Sequence, residues 1–214
     1  MRTNKPIICL LAAFLWLTGC ATLPAPQTPV NKNIDWNTRA ETLSSIQEWD
    51  IKAQIGVRTN AEAQSASLSW QQHEKNYTIQ VFGPMGVNSY VLTGSPKRVE
   101  LLNAQGKAYY AKTPEELFIK QTGWNLPVSD LFYWIRGLPV AGIPADKHFD
   151  SFNHLTELTQ DGWKIRYLRY TSVDNIDLPS KIYLENPRLN VKIIISQWYL
   201  PPSSQRRHLI PFLN

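Results

Sequence analysis

From Trp49 to about Lys112, apolar and polar residues alternate along the chain. Ala66, Leu68 and Trp70 interleave with Ser65, Ser67 and Ser69, and Tyr77, Ile79 and Val81 interleave with Thr78 and Gln80. Tyr90 and Leu92, then Val99 and Leu101, then Tyr109 continue the period of two. Each run is short and ends in turn residues: His73 to Asn76, Gly83 to Gly86, Gly94-Ser95-Pro96 and Asn103 to Gly106. Close spacing of this kind predicts an antiparallel meander with one apolar face. Two helices then interrupt it. Thr113-Pro114-Glu115-Glu116 combines a capping box with proline at the first helical position. Ser129 is read as the cap of a second helix, in which Leu131, Trp134, Ile135 and Leu138 fall on one face and Gly137 and Pro139 end the run. Strands resume with Leu155 to Thr159, then Trp163, Ile165 and Tyr167 after the Asp161-Gly162 turn, then Ile182 to Leu184, and finally Val191, Ile193 and Ile195. A short opening helix over Asn37 to Gln47, with Leu43 and Ile46 inward, precedes the sheet.

The first residues follow a different logic. Arg2 and Lys5 precede the apolar run Ile7 to Leu17, and Leu17-Thr18-Gly19-Cys20 follows. A basic start, a short apolar core and small residues at the cut make a secretory signal. The run is too short to cross a hydrocarbon core of about 30 Å. The residues LTGC resemble the bacterial lipobox, which implies that Cys20 is acylated and becomes the new N-terminus. The chain thus divides into a signal peptide (1–19), a lipid-anchored flexible tether (20–35), a folded domain (36–200) and a weakly ordered tail (201–214). Ala21 and Thr22 carry no aspartate of the kind that marks inner-membrane retention, so the expected destination is the periplasmic face of the outer membrane.

Processing changes the composition. The precursor has 214 residues and a formal charge of +5; removal of residues 1–19 leaves 214 − 19 = 195 residues, and the loss of Arg2 and Lys5 lowers the charge to +3. That balance is too small to argue nucleic-acid binding. Cys9 leaves with the signal, so Cys20 is the one mature cysteine and no thiol remains for redox, metal or nucleophilic work. His73, His148, His154 and His208 stand far apart in loop or tail contexts, without metal-ligand spacing. There is no nucleophile elbow, P-loop or dinucleotide motif. Glu115 and Glu116 are explained by helix capping, and Asp174 and Asp177 are placed in a polar loop. Gly83-Pro84-Met85-Gly86 matches a nucleic-acid-clamping GxxG, but here it joins two strands rather than two helices. No cofactor, no metal and no enzymatic activity are expected.

What remains is apolar. Pro84 and Gly86 suit positions i+1 and i+3 of a type I turn, which puts Met85 at its tip. Met85 either folds back over the sheet edge or enters a membrane or an apolar partner. The aromatics pose a similar alternative: eight Trp and nine Tyr furnish either the filling of a barrel or the wall of a cavity, and composition does not separate the two.

Gly123-Trp124-Asn125-Leu126-Pro127-Val128, followed by Leu131, Trp134 and Gly137-Leu138-Pro139, resembles the helical signature of the outer-membrane lipoprotein receptor LolB family. Gly56, Arg58, Trp70, the Gly83 to Gly86 turn, Gln160-Asp161-Gly162-Trp163, Leu178-Pro179 and Trp198 agree in order and spacing. The resemblance covers about Trp36 to Trp198. The Pro-rich, basic tail beyond Trp198 departs from it, as does Met85 where the family more usually has Leu.

The resemblance implies a mainly β fold with some α: a half-open antiparallel β-barrel with a helical lid over an apolar cavity. It implies a monomeric receptor that accepts acylated lipoproteins from the periplasmic carrier LolA and inserts them into outer-membrane lipid. It assigns membrane insertion to the turn of Pro84, Met85 and Gly86. The acyl-chain lining falls on Tyr77, Ile79, Val81, Tyr90, Leu92, Trp134, Ile135, Trp163, Ile165, Val191 and Ile193. Rival readings of the same residues are a scaffolding envelope lipoprotein with a filled barrel, and an envelope hydrolase whose site assembles from distant carboxylates.

Overall fold

The computed structural model describes residues 28–84, 89–123 and 125–202. The signal peptide, Cys20, Met85, Gly86 and most of the tail fall outside them. Eleven strands form one open antiparallel sheet: β1 (Glu48–Arg58), β2 (Ala63–His73), β3 (Asn76–Phe82), β4 (Tyr90–Ser95), β5 (Arg98–Asn103), β6 (Ala108–Ala111), β7 (Ala145–Phe149), β8 (Leu155–Gln160), β9 (Trp163–Val173), β10 (Ile176–Glu185) and β11 (Asn190–Tyr199). Each strand pairs with its neighbour in sequence except at the centre, where β1 pairs with β11, and at the edges, β6 and β7. The chain leaves the sheet at β6 and returns at β7, the opposite edge, and two helices, Pro114–Thr122 and Val128–Trp134, lie in that excursion. They therefore stand where the barrel fails to close.

Three helices accompany the sheet: α1 (Trp36–Ser44), α2 (Pro114–Thr122) and α3 (Val128–Trp134). Thr113 caps α2 as the sequence predicts, its hydroxyl accepting from the Glu116 amide at 3.3 Å. Gly123 ends the helix with φ 75°, a backbone conformation that glycine adopts freely. The predicted cap of α3 is corrected. Pro127 occupies the N-cap position without a side-chain bond, and Ser129 lies inside the helix. Its amide donates instead to Oε1 of Glu115 at 2.7 Å, so a carboxylate from α2 satisfies the open end of α3 and ties the two together. At the other end Gly137 (φ 80°) and the bond from the Leu138 amide to the Tyr133 carbonyl close a Schellman turn.

The predicted strands are present, and the second half of the sheet is longer than the apolar runs suggest. Asp161 and Gly162 both have positive φ (49° and 74°), the turn that matches strand twist in a two-residue hairpin. Asp174 and Asn175 (φ 51° and 62°) make a second such turn, so Asp177 belongs to β10 and not to a polar loop. β7 is an edge strand exposed along almost its whole length, with no buried face to give its sequence a period.

The expected tether from 20 to 35 needs a further correction. Its described part, from residue 28, is docked. Asp177 is 4% exposed; its Oδ1 accepts from the Val30 amide at 2.8 Å and its Oδ2 from the Asn31 amide at 3.3 Å. The buried His154 bridges Asp150 and Asp177, 2.9 Å from a carboxylate oxygen on either side, with the Tyr170 ring stacked on it at 4.6 Å. Arg39 adds bonds to the Lys32 and Phe152 carbonyls. Burial by itself raises the Asp150 carboxyl, but hydrogen bonds from the His154 amide and imidazole and from the Phe152 amide hold it below its ordinary value. A depressed folded value contributes stability above the unfolded value of about 3.9, and that contribution disappears as pH falls through the folded value. Acidification below about pH 4 is therefore expected to loosen the turn around Asp150, seen as loss of hydrogen-exchange protection at the Phe152 and His154 amides that donate to it. Asp150→Asn should flatten that pH dependence, and unchanged protection through the same range would contradict the assignment.

Candidate functional site

The concave face of the sheet is half solid and half hollow. Under β8 to β11, Leu158, Ile165, Leu178, Leu184 and Val191 are fully buried. Under β1 to β4 lies a cavity of about 640 Å³, within the roughly 300–1,000 Å³ span of pockets that enclose small ligands. Its floor is Ile55 and Val57 of β1, Ala66, Leu68 and Trp70 of β2, Ile79 and Val81 of β3, Tyr90 of β4 and Ile193 of β11. These lie together because pairing sets Ile55 opposite Ala66, Leu68 opposite Val81 and Trp70 opposite Ile79; on a pleated sheet such partners share a face. The roof is Phe118 of α2, Leu126 before α3, and Val128, Leu131 and Ile135 of and after α3. Gln64, Ser65, Gln121 and Pro84 contribute the more polar rim.

Five of the eleven residues assigned to the lining border this cavity: Ile79, Val81, Tyr90, Ile135 and Ile193. The other six lie elsewhere. Ile165 and Val191 are fully buried in the core under β8 to β11, and Trp163 borders a separate polar cleft beside Asp130, Asp161 and Arg188. Leu92 is sealed in register between Ile79 and Leu101. Tyr77 lays its ring over Gly94, its partner in β4, where a Cβ would collide with it. Trp134 is fully buried and structural: its Nε1 donates to Gln160 Oε1 at 3.0 Å, and its carbonyl accepts from the Tyr167 hydroxyl at 3.0 Å. Gln160 also bonds both polar groups of Val140 and the Ile143 carbonyl, so the end of the lid is fixed to β8 and β9. The lining residues not anticipated are Ile55 and Val57 of β1, Phe118, Leu126, Val128 and Leu131 of the roof, and Ala66, Leu68 and Trp70 of β2, whose alternation is the clearest in the sequence. Pairing β2 with β3 in register would have placed the β2 residues beside Ile79 and Val81.

The lid's other anchor is a cation. Arg136 is 1% exposed. Its guanidinium donates to the Leu43 carbonyl at 3.2 Å, the Ile46 carbonyl at 2.6 Å and the Phe132 carbonyl at 3.0 Å, and it lies 4.1 Å from the Phe132 ring centroid. Burial lowers its pKa to about 10, which leaves it charged at neutral pH. Beside α3, Asp130 is raised by burial first and by Asp161 and Glu115 next. Among the described residues no group of three His, Cys, Asp or Glu could hold a metal ion, and no helix is long and apolar enough to cross a membrane. Cys20, Met85 and Gly86 lie outside the described residues; Pro84 is exposed at the cavity rim.

An open antiparallel sheet around an apolar hollow, roofed by helices in the gap between its edges, defines a class: the half-barrel with a lidded cavity. The sequence model of the family described as "Outer membrane lipoprotein LolB" matches residues 47–198. The protein named outer-membrane lipoprotein LolB from Coxiella burnetii is 38% identical over 201 residues, 92% of this chain and 94% of its own. Its namesake from Nitrosococcus oceani is 36% identical over 192 residues, 89% of this chain and 96% of its own. The chain belongs to the outer-membrane lipoprotein LolB family. Among solved structures, a DUF1329-family protein from Desulfovibrio piger shares the fold, with a TM-score of 0.53 and 10% identity over 81% of this chain and 94% of that one.

Proposed function

We propose that the protein is a monomeric outer-membrane receptor that takes acylated lipoproteins from the periplasmic carrier LolA, holds their acyl chains in the cavity and releases them into the membrane. The observation that carries this reading is the roofed apolar cavity of about 640 Å³ between β1 to β4 and the lid. Ile79, Val81, Tyr90, Ile135 and Ile193 are assigned to acyl contact, joined by Ala66, Leu68 and Trp70. Acylated Cys20 holds the receptor at the membrane, and Pro84, Met85 and Gly86 form the element that enters it. The hollow half of the sheet favours this over a filled scaffold.

Physical necessity supports the same reading. Three acyl chains carry about 45 methylenes, and at about 0.8 kcal/mol each they cost roughly 36 kcal/mol to leave in water. Unassisted passage through an aqueous compartment is then negligible. A shielding cavity that hands the chains on downhill requires neither a cofactor nor a nucleotide.

Met85→Glu tests the division of labour. The variant is expected to accept lipoprotein from the carrier normally, while delivery into vesicles falls roughly tenfold or more, because a carboxylate resists the hydrocarbon region. Delivery equal to wild type would remove the insertion role from Met85 and leave the cavity reading in place.

A further inference from the structure

The outer face of the sheet carries a cluster of positive charge along β9 to β11. Lys52 of β1, Lys164, Arg166 and Arg169 of β9, Lys181 of β10 and Lys192 of β11 stand on it. Register aligns them in rows across the strands: Lys181 sits between Ile194 and Arg169, and Tyr183 between Lys192 and Arg166. Two carboxylates answer them, Glu157 at 2.9 Å from Lys164 and Glu185 at 3.7 Å from Arg166. Lys52, Arg169, Lys181 and Lys192 make no ion pair among the described residues. On β9 to β11 five cations less the carboxylates of Glu157 and Glu185 leave three positive charges, whereas on β1 Lys52 shares the outer face with Glu48 and Asp50. The fold gains nothing from that crowding, since like charges on adjacent strands repel and the outer face of β2 is built from serines.

We propose that this face lies against an anionic phospholipid surface, with headgroup phosphates as its ligands. Two observations select lipid over an acidic protein. First, exposed aliphatics stand among the cations: Leu168 is 52% and Ile194 38% exposed, the mixture that suits the boundary between headgroups and acyl chains. Second, the docked N-terminal strap bonds through Val30 to Asp177, on the same strand as Lys181. Ten residues separate Val30 from Cys20, a span of at most about 35 Å. On the reading that Cys20 is acylated, the membrane therefore lies within that distance of β10.

Amine labelling of the acylated protein in vesicles, read residue by residue by mass spectrometry, tests this. Lys181 and Lys192 are compared with Lys97, which sits in the exposed β4–β5 turn. In vesicles containing phosphatidylglycerol, labelling of the two lysines should fall about fivefold relative to pure phosphatidylcholine, roughly the effect of one cation near an anionic surface. It should recover at about 1 M salt, where screening shortens the range of charge to about 3 Å. The pair Lys181→Glu and Lys192→Glu should also restore labelling at Lys52. Equal labelling in both vesicles would overturn the proposal while leaving lipoprotein transfer untouched. Protection that arises only on adding the carrier, whatever the lipid, would overturn it in favour of an acidic protein surface. Loss of the protein from neutral vesicles would overturn the anchoring on which this orientation rests.

Discussion

Replacing Arg136 by methionine is expected to destabilise the folded domain by about 2–6 kcal/mol, the cost of leaving two buried carbonyls without donors at roughly 1–3 kcal/mol each. The carbonyls are those of Ile46 and Phe132, since that of Leu43 keeps the Ile46 amide at 3.3 Å, so the loss falls where the chain leaving α1 meets the end of α3. Methionine matches the volume and packing of the arginine stem but offers no donor. Arg136→Lys keeps the charge yet presents a point rather than a planar fork, and should recover only part of the loss. Urea unfolding gives the answer: the midpoint should fall with little change in slope. A loss below about 1 kcal/mol for Arg136→Met would mean that water replaces the guanidinium and that the lid is held from its Gln160 end alone.

The second large effect is expected at the cavity floor. Ala66 faces into the hollow beside Ile55, and the tryptophan of Ala66→Trp would occupy the space assigned to acyl chains. Because it enters a void rather than a filled core, the stability change should stay within about 1–3 kcal/mol. Binding of an acyl-chain fluorophore should weaken about tenfold or more, which corresponds to at least 1.4 kcal/mol. Ser67→Trp is the control, since Ser67 is one residue away and points outward, where its hydroxyl accepts from Gln54. Loss of binding in both variants, or in neither, would show that the hollow under β2 is not where chains bind.

Local patterns were legible in the sequence, and long-range ones were not. The meander, the Thr113 cap, the stripe of α3 and the Asp161-Gly162 hairpin each depend on residues within a few positions of one another. Ser129 was misread because its true partner, Glu115, stands 14 residues away. His154 looked like a loop histidine because Asp177, which buries it, is 23 residues away. The division of the barrel was invisible for a different reason. Trp163-Ile165-Tyr167 and Leu68-Trp70 obey the same alternation, yet one packs a solid core and the other borders a void. That difference depends on how much space the opposing helices leave, and no single strand encodes it. Resemblance to the family supplied the cavity; register was needed to say which strands it lies under.

The most direct test of the account is transfer itself. The Cys20→Ala protein, which has no acyl anchor of its own, is mixed with carrier loaded with a triacylated lipoprotein, and the location of the lipoprotein is then measured. The lipoprotein is expected to move to the receptor, and Ala66→Trp in the same background is expected to leave it on the carrier. A folded receptor that takes none, with the lipoprotein remaining on the carrier throughout, would contradict this.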